Sequence, residues 1–250
     1  MLESQVNADI HFPLITIVTV VCNGEKYIEG TIRSIMALQY PNLEYIVIDG
    51  SSVDGTVDII KRYEGTVTYW VSENDNGIYD AMNKGWAACK PDSFILFLGA
   101  GDRILSLPAM MQSYTLHDVI YGTVKLGDGK NFLSKAGLGL RIRNTLHHQA
   151  LLINKATHPE RPFDIRFKVF ADFDFNQRLL KKGINFIYSD SFVGYAMPEG
   201  VSSKFDLVES LQIIRKNFGV GWCFLSLLYF VTRRIFVYSK HLFNSIIQIL

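Results

Sequence analysis

Two acids stand where an apolar run gives way to small residues. Glu44-Tyr-Ile-Val-Ile-Asp49 leads into Gly50-Ser-Ser, and Ile95-Leu-Phe-Leu-Gly-Ala-Gly ends on Asp102. A buried strand does not tolerate an unpaired carboxylate, so each acid belongs at a strand's end, facing a cleft. In open α/β sheets ligands bind outside the carboxyl ends of the strands. Asp49 can accept both hydrogen bonds of a ribose diol or the imide N–H of a uracil; a turn or cap is the alternative. Asp54, before Gly55, reads more readily as a turn residue. The small residues before Asp102 let a diphosphate approach the backbone. Its carboxylate can hold Mg²⁺ or Mn²⁺ with substrate phosphates as further ligands.

Three other groups have chemical potential. Asp80, Asn83 and Lys84 fall within one helical turn of Ile78-Tyr-Asp-Ala-Met-Asn-Lys-Gly85, where Lys84 can neutralise phosphate or face solvent. Asp172 and Asp174 are two apart, hence on nearly opposite sides of a helix, so at most one enters a site. Asp172 is a candidate general base, and the helix dipole is the alternative reason for acids there. His147-His148-Gln149 has no acidic or cysteine partner at ligand spacing. It reads as a polar pocket wall or a structural pair.

These residues need a frame. Leu14–Val21, Leu43–Ile48, Thr66–Val71 and Phe94–Leu98 read as strands, with helices expected over Glu25–Leu38, Val57–Tyr63 and Ile78–Cys89. Such alternation predicts βαβ units and a mostly parallel sheet flanked by helices. Beyond it, Val119–Lys125, Ala150–Ile153, Ile184–Tyr188 and Phe192–Ala196 read as strands. Ala171–Lys182 reads as a helix ended by Gly183, and Gly127–Gly139 as a glycine-rich loop.

The chain has 250 residues and a net charge of +1, unevenly spread. All 24 acids and 20 of the 25 Lys and Arg lie in the first 209 residues, a net of −4; Arg215, Lys216, Arg233, Arg234 and Lys240 give the tail +5. A nucleic-acid-binding surface is not supported. On a helix, Ser226, Arg233, Lys240, Asn244 and Gln248 share one face and apolar residues cover the rest. That suits a helix lying in a membrane interface; packing on the domain or a second subunit is the alternative. Cys22, Cys89 and Cys223 form no framework, so a reducing compartment is expected, and residues 1–11 lack a signal-like pattern.

Leu14–Glu25, Glu44–Thr56, Ser72–Gly85 and Leu98–Asp102, taken in order, resemble the successive motifs of family-2 glycosyltransferases, and the resemblance runs from about residue 14 to residue 198. The subgroup resembled assembles bacterial exopolysaccharide of the colanic-acid kind or O-antigen. The resemblance implies a GT-A (Rossmann-like) fold over 14–200, in a nucleotide-sugar half (14–105) and an acceptor half (106–200). A lead-in (1–13) and a helical membrane-associating tail (201–250) flank it. It also implies inverting transfer from a nucleotide-sugar, UDP-linked by expectation, to a glycan or lipid-linked acceptor, which the tail would place at the cytoplasmic face of the plasma membrane. Val20, Val21, Asn23 and Asp49 would meet the nucleotide, joined by Asp80 and Lys84. Asp102 would hold the metal, Asp172 would act as base, and His147, His148 and Gln149 would face the acceptor. Two positions depart from the family pattern: Ala100 replaces the first metal acid and Ala171 the Glu of a Glu-Asp pair. A nucleotidyltransferase of similar sheet and an inactive binding module are the competing readings; homo-oligomerisation stays open.

Overall fold

The computed structural model describes residues 12–158, 160–198 and 206–247. The parallel block is β1 (Ile15–Val21), β2 (Leu43–Asp49), β3 (Tyr69–Ser72) and β4 (Phe94–Gly99), joined by α1 (Ile28–Met36), α2 (Thr56–Arg62) and α3 (Ile78–Ala88). After it come β5 (Arg103–Ser106), β6 (Val119–Leu126), β7 (Asn131–Leu133), β8 (Leu151–Asn154), α4 (Ala171–Lys181), β9 (Phe186–Ala196), α5 (Leu207–Phe218) and α6 (Val220–Ile247). Strand order is β3-β2-β1-β4-β8-β6-β9-β5, with β7 on β6. β1 pairs in parallel with β2 and β4, as do β2 with β3 and β6 with β9; β8 runs antiparallel between β4 and β6. This is the expected mixed, mostly parallel sheet.

Period-two alternation sends Ile15, Ile17 and Val21 to the face covered by α1 and α2, and Val18 and Val20 to the face under α3 and α4. Both faces are buried, as parallel sheets require. At Gly85 a Cβ would collide with the Val18 side chain, so α3 seats against β1 only with glycine there.

The structure revises several boundaries. α1 starts three residues late because the Gly24 carbonyl accepts from both Tyr27 and Ile28 N–H, closing a turn first. The glycine-rich stretch after residue 126 holds β7. A tight turn makes the hairpin: Leu126 N–H donates to the Lys130 carbonyl (2.8 Å), with Gly129 at φ +84°. The two strands expected over 184–196 are one, β9, whose register against β6 slips between Tyr121 and Thr123. Gly122 sits at the slip, where a Cβ would meet the Phe192 carbonyl.

The tail is two helices, and the expected polar face of α6 is divided, with Arg233 exposed and Ser226 packed against the domain. Ser226 is fully buried and its hydroxyl donates to the Ile142 carbonyl (2.7 Å). Arg141 stacks on Phe218 and Trp222, and Arg143 on Tyr229. Phe224, Leu228, Val231 and Ile235, spaced as one helical stripe, are exposed instead. The side chains of Lys240 and Asn244, Gln248 as a whole, and residues 1–11 lie outside what is described. No helix among the described residues is long and apolar enough to cross a membrane.

Candidate active site

Register brings the strand ends level: Val21 lies opposite Asp49, Asp49 opposite Ser72, and Val20 opposite Gly99. Beyond them opens a cleft of about 430 Å³. Val20, Val21, Asn23 and Asp102 form one part of its lining, and Tyr79, His148, Gln149 and Met197 another.

Asp49 is fully buried and not part of that lining. Its Oδ2 accepts from Ser52 N–H (2.9 Å) and Ser72 Oγ (2.6 Å), and its Oδ1 from the Ser52 hydroxyl. Ser52 Oγ in turn accepts from Asn23 N–H (2.7 Å), and Asn23 Oδ1 from Val53 N–H (3.0 Å), with Asn23 held at φ +52°. The loops after β1 and β2 are thereby locked together. A nucleoside reaching Asp49 must take over a serine's bond. Asp80 and Lys84 also lie outside the lining: Asp80 Oδ2 accepts from Asn76 N–H (3.0 Å), and Lys84 pairs with Glu73 (2.9 Å).

Asp102 lies at the cleft, nearly buried. Thr31 of α1 pins the 99–102 turn, its hydroxyl donating to the Asp102 carbonyl (2.7 Å) and accepting from Gly101 N–H (2.9 Å). Gly101 sits at φ +97° with Met197 packed where a Cβ would go. The Asp102 Oδ2 accepts from Gly99 N–H (2.9 Å) and the Gln149 amide (2.8 Å), and Oδ1 from Met197 N–H (2.9 Å). Gln149 is held by His147, whose Nδ1 donates to Gln149 Oε1. With its oxygen so occupied, the amide turns its N–H to Asp102. Burial, then the neighbouring His148, lowers the His147 pKa and favours the neutral ring this bond uses.

Asp172 stands behind the cleft wall at the start of α4. Its Oδ1 accepts from Phe173 N–H (2.8 Å) and lies 3.3 Å from the Tyr79 hydroxyl, which also donates to the Val169 carbonyl (2.7 Å). Its Oδ2 lies 3.6 Å from His148 Nδ1 and 3.5 Å from the Asn144 amide, ion-pair range for the imidazole and a weak bond for the amide. Burial works against charge on His148, but Asp172, with help from Asp102, outweighs it and raises the pKa. Burial and Asp172 push the Tyr79 phenol well above its ordinary value.

The segment before α4 is held from the tail. Glu209 of α5 accepts N–H bonds from Lys168 (2.8 Å), Val169 (2.8 Å) and Phe170 (2.6 Å). Neither Tyr79 nor Glu209 stood out in sequence. Tyr79 was hidden by its charged neighbours; Glu209 lies some forty residues from the groups it holds and carries no local signal.

Residues 16–184 match Glycosyl transferase family 2. The chain belongs to glycosyltransferase family 2. Over 179 residues it is 27% identical to a PGL/p-HBAD biosynthesis glycosyltransferase of Mycobacterium bovis, covering 66% of this chain and 69% of that one. It is 30% identical over 98 residues to the putative teichuronic acid biosynthesis glycosyltransferase TuaG of Bacillus subtilis, covering 36% and 37%. The fold is similar to that of S. aureus TarS (TM-score 0.62, 18% identity, 82% of this chain), and the chain spans 65% of that structure's length. The Pyrobaculum calidifontis mannosyltransferase PcManGT, solved with GDP-Man and Mn²⁺, is similar too (TM-score 0.57, 15% identity, 83% of this chain and 64% of that one). These likenesses identify the GT-A fold, and family membership makes the chain an enzyme.

For a family-2 glycosyltransferase the donor set for metal is sparse. Among the described residues no three His, Cys, Asp or Glu side chains gather to hold an ion. Among the described residues Asp102 is the one carboxylate in the cleft lining, and Ala100 also lines it. Its Oδ1 accepts a single bond, so a lone pair is available. A hard divalent cation that takes its other ligands from phosphate and water needs little more from the protein, and the site fits one on those terms.

Proposed function

We propose that this enzyme transfers a sugar from a nucleotide-sugar, UDP-linked, to a hydroxyl of a glycan or lipid-linked acceptor, with inversion, in cell-surface polysaccharide assembly. One observation carries the reading: adjacent residues of a single turn span the two acids, with Gln149 donating to Asp102 and His148 facing Asp172. That span links an anchoring acid in the cleft lining to a base just behind the cleft wall.

Val20, Val21 and Asn23 meet the nucleotide, and Asp49 serves it by fixing the loop at Ser52. Asp102 would hold Mg²⁺ or Mn²⁺, which when bound offsets charge on the departing diphosphate. Asp172 takes the proton of the acceptor hydroxyl as that oxygen attacks the anomeric carbon from the side away from the diphosphate. His148, itself in the cleft lining, faces the carboxylate. The exposed apolar stripe of α6 and the base-rich tail support a peripheral position on the inner face of the plasma membrane.

A thermal-shift screen with UDP-, GDP- and dTDP-sugars, with and without Mn²⁺, tests the donor, since a bound ligand raises the melting temperature. UDP-sugars are expected to give the largest shift, and Asp102→Asn to remove its Mn²⁺ dependence. No shift with any donor would reject the reading. Inversion is read from the anomeric configuration of the product by NMR.

A further inference from the structure

On the other side of Asp172 lies a second cavity, of about 560 Å³, between the β7 hairpin, the start of α4 and α6. Lys135, Arg143 and Arg233 line it, and among the described residues no carboxylate does. None of the three has an ion-pair partner among the described residues. The rest of the wall is largely apolar, with Phe132, Phe173 and Phe230 prominent. Three cations without counter-charge beside aromatic rings match an anion attached to hydrocarbon.

The cavity also adjoins the chemistry. Asn144 lines it and reaches Asp172 Oδ2 (3.5 Å), and Phe173 is the next residue after that acid. Asp172 therefore separates two hollows, the cleft proposed for the donor and this one. From α6, half-buried Phe230 and the exposed Arg233 line the cavity, while Phe224, Leu228, Val231 and Ile235 face outward. A helix with that division sets the cavity just above any apolar surface the outer stripe rests on.

We propose that this cavity is the acceptor anchor: Lys135, Arg143 and Arg233 bind the phosphate of a lipid-phosphate acceptor, the phenylalanines pack its first carbons, and its hydroxyl-bearing end reaches Asp172. The assignment rests on the transferase reading and narrows its acceptor to a phosphorylated amphiphile.

The full chain is titrated with dodecyl phosphate below its micelle concentration, with dodecanol and with inorganic phosphate, by calorimetry. Dodecyl phosphate is expected to bind at least about tenfold more tightly than either partial ligand, because it alone meets both halves of the cavity. The pair Arg143→Ala and Arg233→Ala is expected to lose about tenfold in that affinity while UDP affinity holds. Arg143 also stacks on Tyr229, so exposed Arg233→Ala alone is the variant that leaves folding intact, with a loss of about threefold or more. Dodecanol binding as well as dodecyl phosphate would overturn the proposal, as would inorganic phosphate doing so or unchanged affinity in both variants. If UDP fails to bind the wild-type chain the transferase reading falls; if UDP binds and dodecyl phosphate does not, only the anchor falls.

Discussion

Asp172 and Asp174 begin the same helix, and both are nearly or fully out of solvent, yet their surroundings have little in common. Asp174 meets fixed charge: Arg178 Nε (3.0 Å), Lys216 Nζ (2.9 Å) and the Asn217 amide (3.0 Å) bind it, tying α4 to α5. Asp172 accepts one short bond, from the Phe173 N–H (2.8 Å), and otherwise meets a phenol, an imidazole and an amide at 3.3–3.6 Å, loose contacts to groups that can move or titrate. Burial does not distinguish a structural acid from a chemical one. Partners do: strong bonds to permanent cations fix a carboxylate, while longer contacts to polar groups leave it a lone pair for substrate.

The sharpest way to break this contrast is to remove each acid's function separately. Asp172→Asn is expected to lower turnover by about 10³-fold, within the range for a general base, with donor affinity and melting temperature preserved. Near-normal turnover would end the assignment. Asp174→Ala is expected to lose about 3 kcal/mol of stability, because Arg178 and Lys216 are left without their buried counter-charge. Urea denaturation measures it. If instead the Asp172 variant unfolds, or the Asp174 variant keeps its stability, the two faces are not divided as described.

Sequence foresaw that the two acids would point apart, because 3.6 residues per turn sets that angle. It could not say which acid would meet cations, since Lys216 and Asn217 come from a helix more than forty residues on. The parallel block was legible for a similar reason: β1, β2 and β4 are long β-branched or aromatic runs buried on both faces, and such runs need no distant partner to be recognised. The hairpin of β7 was not, although Gly127-Asp128-Gly129 is a turn signal between two strand-forming runs. Glycines spread from 127 to 139 mask that turn within a longer loop-like composition. Asp102 and the His147-His148-Gln149 segment meet at one cleft because β4 and β8 are sheet neighbours, a pairing no local pattern encodes. The face drawn through Ser226 and Arg233 is divided, because a hydroxyl can be buried when a carbonyl receives it and Ile142 supplies that carbonyl, while the Arg233 charge stays exposed.

A smaller effect tests whether the two faces share a support. Glu209 holds the three N–H groups that lead into α4, so both acids inherit their positions from it. Glu209→Gln keeps one oxygen but turns an NH₂ toward a donor. The expected loss is about 2 kcal/mol, typical of bonds to a charged acceptor, with turnover reduced beyond what the unfolded fraction explains. A stability loss with turnover per folded molecule unchanged would show that Asp172 is positioned by α4 alone.

The smallest expected effect is one of pH, and it separates the faces by sign. His148, beside Asp172, has a raised pKa: burial opposes its proton, but Asp172 and Asp102 prevail. Its contribution to stability is full below the ordinary imidazole value of about 6.5 and fades as pH climbs through the raised one. His158, 3.3 Å from Arg178 on the Asp174 side, has a lowered pKa, first through burial and then through Arg178 and Lys182. The fold resists its proton, so stability falls as pH drops below about 6.5 toward the lowered value. His147, also lowered, adds to that acid limb. Melting temperature followed from about pH 5 to about pH 9 should therefore peak near the ordinary imidazole range. His148→Gln should flatten the alkaline side alone, and His158→Gln should soften the acid side alone. If both substitutions flatten the same limb, the imidazoles sense one common field, and Asp172 and Asp174 are electrostatically a single site rather than two.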